Sequence, residues 1–215
     1  GFGADLGAEK FMNIKARLGG IEPAVTVIAT GSMSLKLHGG AAEKEIRDAN
    51  EHALSKGLLN LARHVQNMQQ FGQQVIVAFN RHDFDRPEEI KFVSDWCAIN
   101  GTRFAINEGY AKGGDGATDL AAQVIEAIDK KESKPLEFTY ALTDTPEEKL
   151  RKVVTSVYRG NSISLSSKAA SALKKIAGSE EEQYPVCIAK TQYSFTQNAA
   201  EVGVAEGFNI HFEDI

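Results

Sequence analysis

Three short apolar runs with no polar alternation constrain this chain more than any other feature. Ala24-Val25-Thr26-Val27-Ile28-Ala29 lies between Pro23 and Gly31. Val75-Ile76-Val77-Ala78-Phe79 follows Gly72 and ends at Asn80, and Arg103-Phe104-Ala105-Ile106 follows Gly101 and ends at Asn107. Such runs suit strands covered on both faces. The segments between them carry helical stripes. Leu54, Leu58, Leu61, Val65 and Met68 form one apolar face about four turns long. Pro87 suits the first turn of a helix presenting Ile90, Val93 and Cys97. Asp115 or Thr118 is placed to cap a helix carrying Leu120, Ala121, Val124, Ile125 and Ile128. Strand and helix in alternation predict an α/β fold, a parallel sheet flanked by helices.

Lys130-Lys131-Glu132-Ser133-Lys134-Pro135 reads as a solvated linker. It divides a parallel α/β domain, 1–132, from a smaller and incomplete α/β subdomain, 136–215. In the latter the pattern predicts a helix over 146–158, with Leu150, Val153, Val154 and Val157 on one face. A strand at 162–165, a Ser-capped helix at 168–176, a strand at 185–189 and a last strand at 208–212 follow. Neither an internal repeat nor a low-complexity segment is found.

Composition narrows the function classes. The 215 residues can bury a sizeable core, and a net charge of −5 leaves no basic footprint for nucleic acid or acidic lipid. No apolar run approaches the roughly 20 residues of a membrane span, and no signal peptide opens the chain. Cys97 and Cys187 sit in apolar runs without metal-ligand spacing. They read as buried free thiols in a reducing cytoplasm, and no metal site is expected.

In an open parallel sheet, ligands bind beyond the C-terminal strand ends. Three loops qualify: 30–40, 80–85 and 107–114. In the second, Asn80 offers two donors and an acceptor, and Arg81 and His82 offer planar groups that stack on a ring. The same residues also make a capped turn. In the third, Tyr110 offers a flat ring or packs half-buried under the Gly113-Gly114 turn. His38, in Leu37-His38-Gly39-Gly40, suits a ligand, a subunit contact or a structural bond equally. Lys190 and Thr191 follow a strand and offer a cation and a hydroxyl to an anion, or a hydrogen-bond cluster. The glycines of Phe2-Gly3-Ala4-Asp5 let a nucleotide lie against the backbone, or simply turn the chain. A phosphate-binding G-x-x-x-x-G-K-[ST] is absent, and Lys112-Gly113-Gly114-Asp115-Gly116 does not satisfy it.

Several blocks in one order carry a resemblance. They are Gly1-Phe2-Gly3-Ala4-Asp5-Leu6-Gly7-Ala8-Glu9-Lys10-Phe11, Leu37-His38-Gly39-Gly40, Val77-Ala78-Phe79-Asn80-Arg81, Tyr110-Ala111-Lys112-Gly113-Gly114 and Pro185-Val186-Cys187-Ile188-Ala189-Lys190-Thr191-Gln192-Tyr193-Ser194-Phe195. Together they resemble the formate–tetrahydrofolate ligase family. The resemblance implies a Rossmann-like fold of the P-loop NTPase class, whose phosphate loop precedes these residues. It implies ATP (with Mg2+), formate and tetrahydrofolate as substrates, formyl phosphate as intermediate, no tightly bound cofactor, and a cytoplasmic homotetramer. His82 stands where relatives carry an aromatic that stacks on the pterin. Tyr110 stands where they carry a Trp over its other face, and Ile106 where they line the pocket with an aliphatic residue. Asn80 and Arg81 complete that loop, and Phe2, Gly3 and Ala4 are the implied nucleotide contacts. Before His38 the pattern departs, because the segment Gly31-Ser32-Met33-Ser34 lacks the relatives' Arg. No catalytic acid or base is expected here, and the segment alone is expected to be inactive. Two alternatives are a non-catalytic folate- or nucleotide-binding module and an oligomerisation domain. A GKT- or GKS-type loop upstream in the same reading frame would favour the ligase.

Overall fold

Strands β1 (Thr26–Thr30), β2 (Val75–Asn80) and β3 (Arg103–Asn107) form a parallel sheet in that order. The structure is a computed structural model and describes residues 3–215. Thr30 pairs with Phe79 and Asn80 with Asn107, so the three strands finish side by side. The order decides the burial. Central β2 is buried from Val75 to Phe79, whereas Val27 of β1 is 41% exposed and β3 fully buries only Ala105. Cover on both faces, expected of all three runs, is therefore complete for β2 alone. Among the described residues, β1 and β3 each have a strand on one side only.

The Glu51–Gln70 helix starts at Asn50, whose side chain accepts from Ala53 N. Its stripe of Leu54, Leu58, Leu61, Val65 and Met68 is buried, as expected. The Ser32–His38 helix crosses it almost backbone to backbone. A Cβ on Gly57 would lie 1.8 Å from Leu35 O, and one on Gly39 1.7 Å from Ala53 O. Close packing, rather than a ligand, thus accounts for Gly39. The Pro87–Ile99 helix buries Ile90, Val93 and Cys97. The Cys97 thiol is pushed up to about 12 by that burial.

Two expectations for the Thr118–Asp129 helix fail. It buries Ala127 and packs Leu120 and Val124 against Ile76 and Ala105, but Ile125 and Ile128 are 59% and 44% exposed. Neither Asp115 nor Thr118 caps it by its side chain. A 3-10 turn, Gly113–Ala117, feeds directly into the helix, and Thr118 Oγ1 donates to Asp115 O instead.

The described residues form two compact units. One holds Pro23–Leu136 with Val202–Val204. The other holds residues 3–22, Glu137–Glu201 and Ala205–Ile215. Residues 3–22, counted with the sheet in the division by sequence, group with the second half for a definite reason. Asn13 exchanges hydrogen bonds with Thr139, and Arg17 donates to Tyr140 O at 2.6 Å. In this unit a capping box of Thr145 and Glu148 opens the Pro146–Val153 helix, which runs on through Tyr158. Ser166 caps the Ser167–Ile176 helix. Strands β4 (Ser162–Leu165) and β5 (Asn209–Phe212) pair in parallel. The strand expected over 185–189 is not formed. Val186 N donates to the Tyr140 hydroxyl at 3.1 Å, which removes it from any ladder. Cys187, expected to be buried, is exposed.

Candidate functional site

The first unit gathers its polar loops where the parallel strands end. Arg81 N donates to Asn107 O at 3.0 Å, which carries the β2–β3 pairing one residue into the loops. Asn107 Nδ2 donates to Asn80 Oδ1 at 2.8 Å, and Asn107 Oδ1 accepts from Gly109 N. Arg81 pairs with Glu108 at 3.2 Å, and Glu108 pairs with Lys112 at 2.6 Å. The Lys112 hydrogen bond, with the charges of Lys112 and Arg81, holds the Glu108 carboxyl below its usual range. A Cβ on Gly116 would lie 2.5 Å from Glu108 O, so a glycine is required where the turn folds back.

Loop 80–85 is closed on itself. Asp85 is buried at its far end. Its Oδ2 accepts from His82 N at 2.7 Å and its Oδ1 accepts from the Ser32 hydroxyl. Asp85 N donates back to His82 O at 3.0 Å. Across this turn the His82 and Phe84 rings stack, with centroids 5.2 Å apart and planes 9° from parallel. The Arg47 guanidinium lies over the Phe84 ring at 5.2 Å.

The sequence candidates on this edge differ in exposure. Asn80 and Arg81 are exposed, His82 and Ile106 half-buried. Tyr110 stands in a one-turn helix, Gly109–Lys112, and is 99% exposed, so it is not the half-buried residue considered from sequence. Asn80, Arg81, His82, Ile106 and Tyr110 therefore belong to one edge of one sheet. His38 is placed differently. Its Nδ1 accepts from Gly203 N, while Asn60 donates to Gly203 O, so the two side chains hold the 202–204 segment.

The second unit has a buried polar centre. Lys190 Nζ donates to Asp5 Oδ2 at 3.0 Å, Thr191 O at 3.0 Å and Ser194 O at 2.5 Å, and sits 4.7 Å from the Tyr158 ring centroid. All three of its protons are directed at neighbours. Thr191 Oγ1 accepts from Tyr193 N in a local turn. Asn13 Nδ2 donates to Glu9 Oε1 at 2.9 Å, while Glu9 Oε2 is buried with no hydrogen bond among the described residues. Glu9 is fully buried, and desolvation pushes its carboxyl up to about 7 against the bond from Asn13. Of the implied nucleotide contacts, Gly3 adopts φ +65° and Ala4 is half-buried at the start of the opening helix. Phe2 lies outside the described residues.

Sequence reasoning passed over Ser32, Phe84, Asp85 and Glu108. Only Asp85 carried a signal, an acidic side chain closing a turn after a strand. Among the described residues no helix is long and apolar enough to cross a membrane.

A family profile described as formate–tetrahydrofolate ligase matches residues 1–215. Proteins named formate–tetrahydrofolate ligase from Porphyromonas gingivalis and Parabacteroides distasonis are 47% and 46% identical over the whole chain. One from Staphylococcus aureus is 43% identical, also over the whole chain. The chain spans 39% of the length of the first two and 38% of the third. With the profile matched from end to end, the chain belongs to the formate–tetrahydrofolate ligase family.

Proposed function

We propose that this chain is part of an ATP-dependent ligase that joins formate to tetrahydrofolate, and that it supplies the pterin pocket and contacts between subunits. A formate oxygen attacks the γ-phosphorus of MgATP and ADP leaves, giving formyl phosphate. The N10 amine of tetrahydrofolate then attacks the formyl carbon. Phosphate leaves, the amine loses its proton, and 10-formyltetrahydrofolate results. Phosphate handling belongs to residues outside this chain, which carries no G-x-x-x-x-G-K-[ST]. Its own contribution is positioning in a homotetramer of the cytoplasm.

One observation carries the reading. Asn80, Arg81 and His82 from one strand end and Ile106 and Tyr110 from the next are organised on one sheet edge by the Asn107–Asn80 and Arg81–Glu108 bonds. His82 and Tyr110 are the two plates, Ile106 lines the floor, and Asn80 and Arg81 address the heterocycle edge. Gly3 and Ala4, with Phe2 before them, are the nucleotide contacts. Lys190 and Thr191 brace the backbone next to Asp5, and His38 braces the segment at Gly203. The test is substrate binding to the intact polypeptide. His82→Ala and Tyr110→Ala should each weaken tetrahydrofolate binding by about 1–2 kcal/mol and leave ATP binding unchanged. Unchanged folate affinity in both variants would remove the pocket from this edge.

A further inference from the structure

The His82 imidazole is smaller than a phenyl ring and stands on a loop. Alone it would give up rotamer freedom on stacking against a ligand, and that loss weakens binding. Here the loop is fixed at the backbone, because Asp85 holds His82 N and is itself held by Ser32. The ring is fixed separately. Phe84 stacks on it nearly parallel, 9° between planes. Phe84 is in turn engaged by Arg47 at 5.2 Å. Both partners meet the Phe84 ring itself, so Phe84 is committed within the loop rather than offered to a ligand.

We propose that Phe84 is a positioning residue that backs the His82 ring and presents it as a preformed plate to the pterin. The proposal rests on the assignment of this edge as the folate pocket. In physical terms Phe84 supplies apolar area that an imidazole lacks, and the stack fixes the plane against which a flat heterocycle packs. His82 and Phe84 are thus one binding element made of two side chains two residues apart, and the Arg47 guanidinium also lies over the Phe84 ring.

The experiment uses the intact polypeptide with Phe84→Leu, Phe84→Tyr and His82→Ala, and measures the tetrahydrofolate Kd, the ATP KM and the thermal midpoint. Phe84→Leu should weaken tetrahydrofolate roughly threefold to tenfold, in keeping with a lost ring pair. Its ATP KM should stay at the wild-type value and its thermal midpoint fall only slightly, and Phe84→Tyr, which keeps the ring, should restore folate binding. Should the Leu variant not fold, Phe84→Met carries the same comparison. Equal losses for both substrates, or no rescue by Tyr, would make Phe84 a merely structural residue and overturn the proposal. Unchanged folate binding in Phe84→Leu beside weakened binding in His82→Ala would overturn it and leave the pocket standing. Unchanged folate binding in both would overturn the pocket itself.

Discussion

The buried centre of one unit and the strand-end loops of the other are built from similar residues and do opposite things. In the centre, the side chains of Lys190, Asp5, Glu9 and Asn13 are out of water, with Lys190 bonded to Asp5 and Asn13 to Glu9. At the strand ends, Asn80, Arg81 and Tyr110 are exposed, and the bonds of Asn80 and Arg81 fix their direction without covering them. A buried polar group must be matched inside the fold because water cannot reach it. A group meant for a ligand must be held yet left uncovered. Exposure together with preorganisation, rather than residue type, separates the two regions.

The sharpest way to break that comparison is Lys190→Met in the intact polypeptide. Asp5 would keep its buried charge and lose its partner, since the two side chains are only 2% and 4% exposed. The expected loss is about 3–5 kcal/mol, read as a lower thermal midpoint, with folate affinity unchanged where the variant is still folded. A variant with wild-type melting and selectively weakened ATP binding would turn Lys190 back into a ligand contact.

A smaller effect sharpens the same contrast through pH. Glu9 titrates near 7 in the fold because burial disfavours its charge, against an ordinary value of 4.5. The folded state therefore binds the proton more tightly than the unfolded state. That contribution to stability is complete below about 4.5 and is lost as pH rises through about 7. The full gap is worth at most roughly 3 kcal/mol. Nearby Asp5 adds to the rise, while Lys10 and Arg17 oppose it. Glu9→Gln keeps an acceptor for Asn13 and cannot ionise. It should flatten the fall in thermal midpoint between these pH values and be the more stable protein at pH 8. Parallel melting profiles for wild type and variant would show that Glu9 does not titrate in that window.

Much of the sheet was legible because its signals are local. An uninterrupted apolar run marked β2, and the 4-3-4-3 stripe marked Glu51–Gln70. The strand ends were legible for the same reason, since Asn80 and Asn107 each follow a run without transition. What escaped depends on partners distant in sequence. Lys190 looks chemical until Asp5, 185 residues away, is placed beside it. The 185–189 run looks like a strand until Tyr140 takes the Val186 N–H. Periodicity places Ile125 and Ile128 on an apolar flank of their helix, but which flank meets the sheet is decided by Ala127, Val124 and Leu120. The need for glycine at 39 and 57 likewise shows only when each is seen against the other helix's backbone.

The central claim is that tetrahydrofolate meets the strand-end loops and not the buried polar centre. Amide hydrogen exchange of the intact polypeptide, with and without tetrahydrofolate, tests it most directly. The account predicts slower exchange on ligand addition in peptides covering 80–85 and 106–114, and no change in peptides covering 3–19 and 185–198. Protection confined to the latter pair, with the loops exchanging as before, would contradict it.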